Sequence, residues 1–293
     1  MSSRENPAPS SQTFGPPTFA KASINRWILG IVILGIVVVA VLFTLLYQST
    51  AVVSSKGFSY TEPAGGGGSN GKYTTLLVSN VNGGIKLLPW AQNTFVINGT
   101  VTAKGIGSSP EQVNLVESNT NGSIIFRALF PNTIGFFASQ SYTAIVNVYF
   151  PMSITVGKLV VNTVNGIVQA ANLNVTGASL SSVSGDVSFS CSYCGAGGIS
   201  ASTTNGIVGA TFSAPLRNGT YTFSSMNGNV HLTVPSVSSF SLTATYVNGG
   251  FQTSGLTLSN QVNTNGHFSA IVGSGTAIVT ITTVNGQIIV TGT

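Results

Sequence analysis

Few side chains in this 293-residue sequence could do covalent or acid–base chemistry. Cys191 and Cys194 bracket Ser192 and Tyr193 as a CxxC. In a reducing compartment that spacing suits a redox pair or half of a zinc site, but no second pair completes a metal site. In an oxidising compartment it is a local disulfide, pinning the loop before Gly195-Ala196-Gly197-Gly198. So short a loop gains little stability, so its use would be local rigidity. Hydrolysis or elimination on a polysaccharide needs clustered carboxylates or a metal, and beyond residue 72 the only acids are Glu111, Glu117 and Asp186. Asp186 directly follows a turn glycine, where a solvated turn residue is expected. His231 and His267 fall three and one residues after their nearest turn glycines, with no third ligand in a metal-binding spacing. This inventory predicts no catalytic residue, no metal ligand and no cofactor. What remains is four glycosylation sequons, at Asn98, Asn121, Asn174 and Asn218. Sugars there would supply hydration that missing charges do not.

These residues must be positioned by a repeat. Its phrase is Ser/Thr-x-Asn-Gly or a near variant, with glycines at 166, 185, 206, 228, 249, 266 and 286. The intervals are 19, 21, 22, 21, 17 and 20 residues, a period of about 20. The expected repeat-turn residues are Asn165-Gly166, Gly185, Asn205-Gly206, Asn227-Gly228, Asn248-Gly249, Asn265-Gly266 and Asn285-Gly286. Two places after each glycine stand Val168, Val187, Val208, Val230, Phe251, Phe268 and Ile288, all apolar, and the next position is mainly polar. Alternation of that kind means strands with one buried face.

Two architectures fit. Each Asn-Gly could be a tight hairpin turn, giving an antiparallel meander. Alternatively each repeat is one coil of a β-helix, with strands stacking in parallel. The second explains more, because like residues recurring once per coil form continuous ladders. The expected fold is all-β: a β-solenoid of about 20 residues per coil, preceded by one N-terminal transmembrane α-helix. Including earlier glycines at 83 and 122, some ten coils and a rod of about 50 Å are expected. The last strand runs to Thr293 without a visible cap, leaving either a protected polar end or an edge open to a partner.

Composition narrows the function. Only 5% of residues are charged, with 10 basic and 5 acidic groups giving a net charge of +5. The basic residues are scattered, which argues against nucleic acid. Residues 1–26 have the composition of a disordered cytoplasmic tail. Residues 27–47 are 21 uncharged residues from Trp27 to Tyr47, long enough for a transmembrane helix. Lys21 and Arg26 precede the span, placing the N-terminus in the cytoplasm. Residues 48–72, with four consecutive glycines, are expected to be a Gly-rich linker. Residues 73–293 form the expected extracellular ectodomain, with degenerate coils over 73–157 and regular repeats over 158–293.

The run Val148-Tyr149-Phe150-Pro151-Met152, then Leu159 to Val168 with Thr163-Val164-Asn165-Gly166, then Ser182-Val183-Ser184-Gly185-Asp186-Val187, resembles the "putative adhesin" family of β-strand-repeat domains, over about residues 76–293. The resemblance implies a non-catalytic, often membrane-anchored domain and brings no catalytic residues. The expectation is a single-pass plasma-membrane protein with an adhesin-like binding or structural envelope role. Its partners would be the membrane and a surface glycan or protein. Head-to-tail self-association through coil ends is the alternative function, and a glycan-active enzyme a remoter one.

Overall fold

The structure, a computed structural model, describes residues 26–51, 53–63, 73–105, 107–132, 140–194 and 197–293. The expected tail before Arg26 and the glycine run at 65–68 lie outside those residues. The chain divides into two compact units, Met1–Gln48 and Ser49–Thr293.

The first unit carries α1 (Arg26–Ala51). Its side chains are described for Trp27 and for residues 30–44, and the aliphatic ones are exposed. The Thr44 hydroxyl donates back to the carbonyls of Ala40 and Val41 at 3.0 and 2.9 Å, so it leaves no donor unpaired. Among the described residues no helix is long and apolar enough to cross a membrane.

The second unit is all-β. Its first strands are β1 (Val53–Pro63), β2 (Thr75–Ser79), β3 (Ile85–Trp90), β4 (Thr94–Lys104), β5 (Asn114–Thr120) and β6 (Ser123–Leu129). Then come β7 (Ser141–Pro151), β8 (Val156–Asn165), β9 (Val168–Ser184), β10 (Val187–Cys194), β11 (Ile199–Asn205) and β12 (Val208–Phe212). The last are β13 (Thr220–Asn227), β14 (Val230–Val234), β15 (Phe240–Ser254), β16 (Leu258–Thr264), β17 (His267–Val272) and β18 (Ala277–Gly292).

Most of these strands form two facing parallel ladders, joined at seven levels by an Asn-Gly or, at Ser184-Gly185, a Ser-Gly corner. In one ladder Ile85, Val168, Val187, Val208, Val230, Ile288 and Phe251 stand side by side. The first six are completely buried, each contributing about 1.5–3 kcal/mol relative to exposure. In the facing ladder Val78, Val161, Leu180, Ala201, Phe223, Ile281 and Ala244 do the same. Strands β9 and β18 turn a corner and serve both ladders. The pairings β9–β10–β12–β14–β18–β13–β11–β9 therefore close a seven-strand ring.

Chain order and spatial order differ at both ends. The level of β2 and β3 lies between that of β6 and β7 and that of β8 and β9. Strand β18 lies between the level of β13 and β14 and the outermost level, β15. Seven corners and the level of β6 and β7 make eight parallel levels among the described residues, fewer than the ten expected.

Three expectations need correction. Asn265-Gly266 is not a repeat corner: it joins β16 and β17 as an antiparallel hairpin, and β17 pairs antiparallel with β15. Asn121-Gly122 is likewise the turn of the antiparallel β5–β6 hairpin, with φ of 51° and 77°. Both residues sit in the left-handed region that such two-residue turns require. Finally, residues 53–63 of the expected linker are β1, paired with β4 along eleven residues. The terminal strand is not an end of the stack either, because Thr293 exchanges backbone hydrogen bonds with Val234 and Ser236.

Candidate functional site

The feature repeated most regularly is the corner itself. In spatial order its glycines run 83, 166, 185, 206, 228, 286 and 249. A Cβ on any of the last six would lie 2.5–2.7 Å from the carbonyl carbon of the preceding glycine. Comfortable carbon contacts need roughly 3.5–4.0 Å. Close approach, not a special turn conformation, therefore demands glycine at Gly166, Gly249 and Gly286.

Each corner is held by three sets of bonds. Backbone amides cross between levels, as from Gly166 to Ser184, Gly185 to Asn205, Gly206 to Asn227 and Gly228 to Asn285, at 2.9–3.1 Å. The asparagines form a side-chain ladder. Asn165 donates to Asn82 at 2.7 Å, Asn227 to Asn205 at 2.8 Å, Asn285 to Asn227 at 2.7 Å and Asn248 to Asn285 at 2.9 Å. Ser184 interrupts that ladder. Beside the break, Asp186 accepts from the amide of Ile207 at 2.8 Å, so its carboxylate secures a corner.

The third set is a column of hydroxyls three residues before the glycine. Thr163, Ser182, Thr203, Ser225 and Thr283 donate to the carbonyls of Gly83, Gly166, Gly185, Gly206 and Gly228 at 2.8–3.2 Å. All five are buried. Buried carbonyls left unpaired would cost free energy, which is why this position keeps Ser or Thr. The sequence reading passed over this role, although the residues open the repeated phrase.

The outward face of the ladder that contains β11 and β13 is hydroxyl-rich. Ser179, Ser200, Thr222, Thr280 and Thr243 occupy successive rungs, and Ser181, Ser202, Ser224, Thr282 and Thr245 run parallel two residues on. A shallow depression of about 510 Å³ crosses this face, lined by Lys158, Gly177, Ser179, Gly198, Ser200 and Thr222.

The other sequence-marked residues do not converge. Cys191 and Cys194 are joined as a disulfide with Cα atoms 6.0 Å apart. Next to them the Arg217 guanidinium lies 3.8 Å over the Tyr193 ring. Among the sequons, Asn121 and Asn218 are exposed, whereas Asn98 and Asn174 are half-buried within strands. Asn174 accepts from Thr155 at 3.1 Å. His231 on β14 and His267 on β17 are half-buried on different strands. Glu111 pairs with Lys56 at 3.2 Å, both well exposed. No group of three or more His, Cys, Asp or Glu capable of holding a metal exists among the described residues.

One polar cluster went unanticipated because it depends on β1. Glu62 accepts from Asn119 at 2.7 Å and from Tyr60 at 3.1 Å, and the Tyr73 hydroxyl donates to the Pro63 carbonyl. Burial, then the Glu62 hydrogen bond, pushes the Tyr60 phenol up to about 12. Burial raises the Tyr73 phenol and the Glu117 carboxyl as well.

Among solved structures, the chain is similar to a putative cell adhesion protein from Clostridium sporogenes, at 11% identity over 81% of this chain and 100% of the other, with a TM-score of 0.45. It is also similar to a putative adhesin from Bacteroides fragilis, at 10% identity over 80% of this chain and 96% of the other, with a TM-score of 0.36. No curated protein matches it. Residues 72–291 match the family Toastrack DUF4097, well over half of the sequence. The chain belongs to the Toastrack DUF4097 family.

Proposed function

We propose that this is a single-pass surface protein whose second unit is a β-solenoid ectodomain with an adhesin-like binding or structural role, not an enzyme. The observation that carries the reading is the hydroxyl lattice, two parallel columns of Ser and Thr over five successive levels. Such a face offers an extended repetitive surface. Catalysis instead calls for a recess with converging acid–base groups, whereas among the described residues Glu62 accepts from Asn119 and Tyr60 and Glu111 pairs with Lys56. Asp186, the carboxylate of the regular repeats, is engaged with a backbone amide.

Anchoring through α1 is supported by its sequence. The 21 residues from Trp27 to Tyr47 carry no charge, the helix spans 26 residues, and its described aliphatic side chains are uncovered. Basic residues before the span orient the N-terminus to the cytoplasm. The second unit then lies outside the plasma membrane, where the Cys191–Cys194 disulfide persists and exposed Asn121 and Asn218 are open to glycosylation. A surface glycan or protein is the partner class such a face fits.

Protease treatment of intact cells tests the topology, with recovery of bound partners from the released fragment. Digestion of residues 53–293 from outside is expected. Protection of that unit until the cells are lysed would overturn the placement, the disulfide and the sugars together. Activity on a glycan that disappears in Asp186→Ala would overturn the non-catalytic reading. The alternative of end-to-end stacking has less support. Antiparallel hairpins occupy both ends of one ladder, with β5–β6 at one end and β16–β17 at the other. Among the described residues, only 249–254 of β15 leave a parallel edge uncovered.

A further inference from the structure

One outward face of the stack is hydroxylic, but its Asn-Gly corner is not. Two residues before each glycine, the side chain points to solvent. In spatial order that position holds Val81, Val164, Val183, Thr204, Met226, Val284 and Val247. Val81, Val164, Val183, Met226 and Val247 are 37–68% exposed. Ile167 and Ile207, one residue after their glycines, add a second flank at 45% and 42%. Nothing in the corner geometry requires aliphatic residues here. The hydrogen bonds come from the neighbouring hydroxyl, Asn and Gly positions, and Thr204 shows that a polar residue is accepted. A chain that covers one flat face with Ser and Thr thus keeps an aliphatic ridge along one corner, interrupted at Thr204, and such patches mark interfaces.

We infer that this ridge is an interface between two copies of the chain, packed corner to corner with their stacks antiparallel. Three observations select that occupant. The ridge repeats at the rung spacing of roughly 4.8 Å, so a second copy matches it at every level, whereas a non-repetitive partner would match at one or two. The charge pattern selects the orientation. Asp186 is the acidic side chain of the corner, and its level is third of seven. Parallel packing would set Asp186 against Asp186. Antiparallel packing, centred on Thr204, sets it against the level of Asn229 and pairs Val183 with Met226. Area sets the strength. A fully exposed aliphatic side chain carries roughly 60–120 Å² at ~25 cal/mol/Å², so seven about half exposed offer on the order of 300 Å² per copy. Over both copies that is about 600 Å², well below the ~1,200 Å² at which standard interfaces begin. The pairing is therefore weak and reversible, a contact that forms when copies are concentrated on a surface. It goes beyond the adhesive reading and does not need it, since a purely structural protein could pair in the same way.

Cysteine cross-linking of the full chain in detergent tests it. Thr204→Cys is expected to link to itself, and Val183→Cys to link to Met226→Cys when the two variants are mixed. Both should react at least tenfold faster than Thr222→Cys on the flat face. Val183→Asp/Met226→Asp, whose sites are exposed and whose fold is checked by its circular dichroism melt, should reduce Thr204→Cys linking to the Thr222→Cys level. Equal rates at Thr204 and Thr222 would overturn the inference. So would linking that persists in the Asp variant, which would mark association through α1, and so would open-ended growth with concentration. Self-linking of Val183→Cys at the expense of the mixed product would overturn the antiparallel arrangement.

Discussion

Replacing Gly286 with alanine isolates the effect of close approach between levels. Gly286 lies in β18 with no left-handed φ, so a methyl group costs nothing in backbone conformation. What it meets is the corner of Gly228, with that residue's carbonyl carbon 2.5 Å from the new Cβ. Reaching a normal carbon separation of roughly 3.5 Å means opening the two levels by about 1 Å. Three bonds cross at that point: the Gly228 amide to Asn285 at 2.9 Å, Thr283 to the Gly228 carbonyl at 3.0 Å, and the Gln287 amide to Asn229 at 2.8 Å. Lengthening each by about 1 Å takes it outside hydrogen-bonding range. At about 0.5–1.5 kcal/mol per bond, and with overpacking strain of about 1–3 kcal/mol, Gly286→Ala should lose about 3–6 kcal/mol. Gly250→Ala is the control, because a Cβ there meets nothing within 4 Å. It should be neutral, or more stable by up to about 1 kcal/mol through the unfolded state. Urea unfolding of the full chain, followed by far-ultraviolet circular dichroism, compares the two. If Gly286→Ala unfolds within about 0.5 kcal/mol of Gly250→Ala, the stacked-carbonyl account of the glycine column is wrong.

Other outcomes follow from the same geometry. Ser225→Ala strips the half-buried Gly206 carbonyl of its buried donor and should cost about 1–2 kcal/mol in the same urea assay, while Thr222→Ala on the outward face should cost less than about 0.5 kcal/mol. Cys191→Ser/Cys194→Ser opens a loop with sequence separation of 3, which the chain-entropy estimate values at about 2 kcal/mol; a small drop in melting temperature with the fold retained is expected, and loss of folding would contradict it. Alkaline titration should expose Tyr60. Its folded phenol, raised to about 12 from the ordinary 10.0, holds its proton more tightly than the unfolded one. Its stabilising contribution is complete below pH 10 and is withdrawn as the pH climbs to about 12. Tyrosinate absorbance should show a late-titrating phenol that Tyr60→Phe removes.

The repeat was legible because its requirements are local and strict. Glycine recurs wherever two carbonyls stack, and the alternating apolar positions after it, such as Val187 and Val208, mark the buried column without reference to anything distant. The order of stacking was not legible. Asn-Gly is the preferred dipeptide both for a close-packed corner and for a two-residue hairpin, so Asn265-Gly266 and Asn121-Gly122 look like Asn205-Gly206 when taken alone. A finer signal existed three residues before the glycine. The five phrases with Ser or Thr there, from Thr163 to Thr283, are the levels that donate to a neighbouring glycine. The two that depart, Tyr246 and Asn263, are the outermost level and the hairpin. Strand β1 was hidden for another reason. Its polar sequence Val53-Ser54-Ser55-Lys56-Gly57 shows no buried face, and eleven backbone pairs with β4 make it a strand.

The interior position of β18 has a consequence for how the chain acquires its shape. Strand β15 is synthesised 37 residues before its parallel partner, counting from Phe240 to Ala277. Until that partner emerges, Phe240, Leu242 and Ala244 have only the antiparallel β17 beside them. The growing polypeptide must therefore hold a gap and then fill it with a late segment that knits to both sides at once. Sequence-distant pairing of this kind is slow. A nascent chain halted before Ala277 should remain open to unfolding at this end, which makes the arrival of the final strand a kinetic gate on maturation.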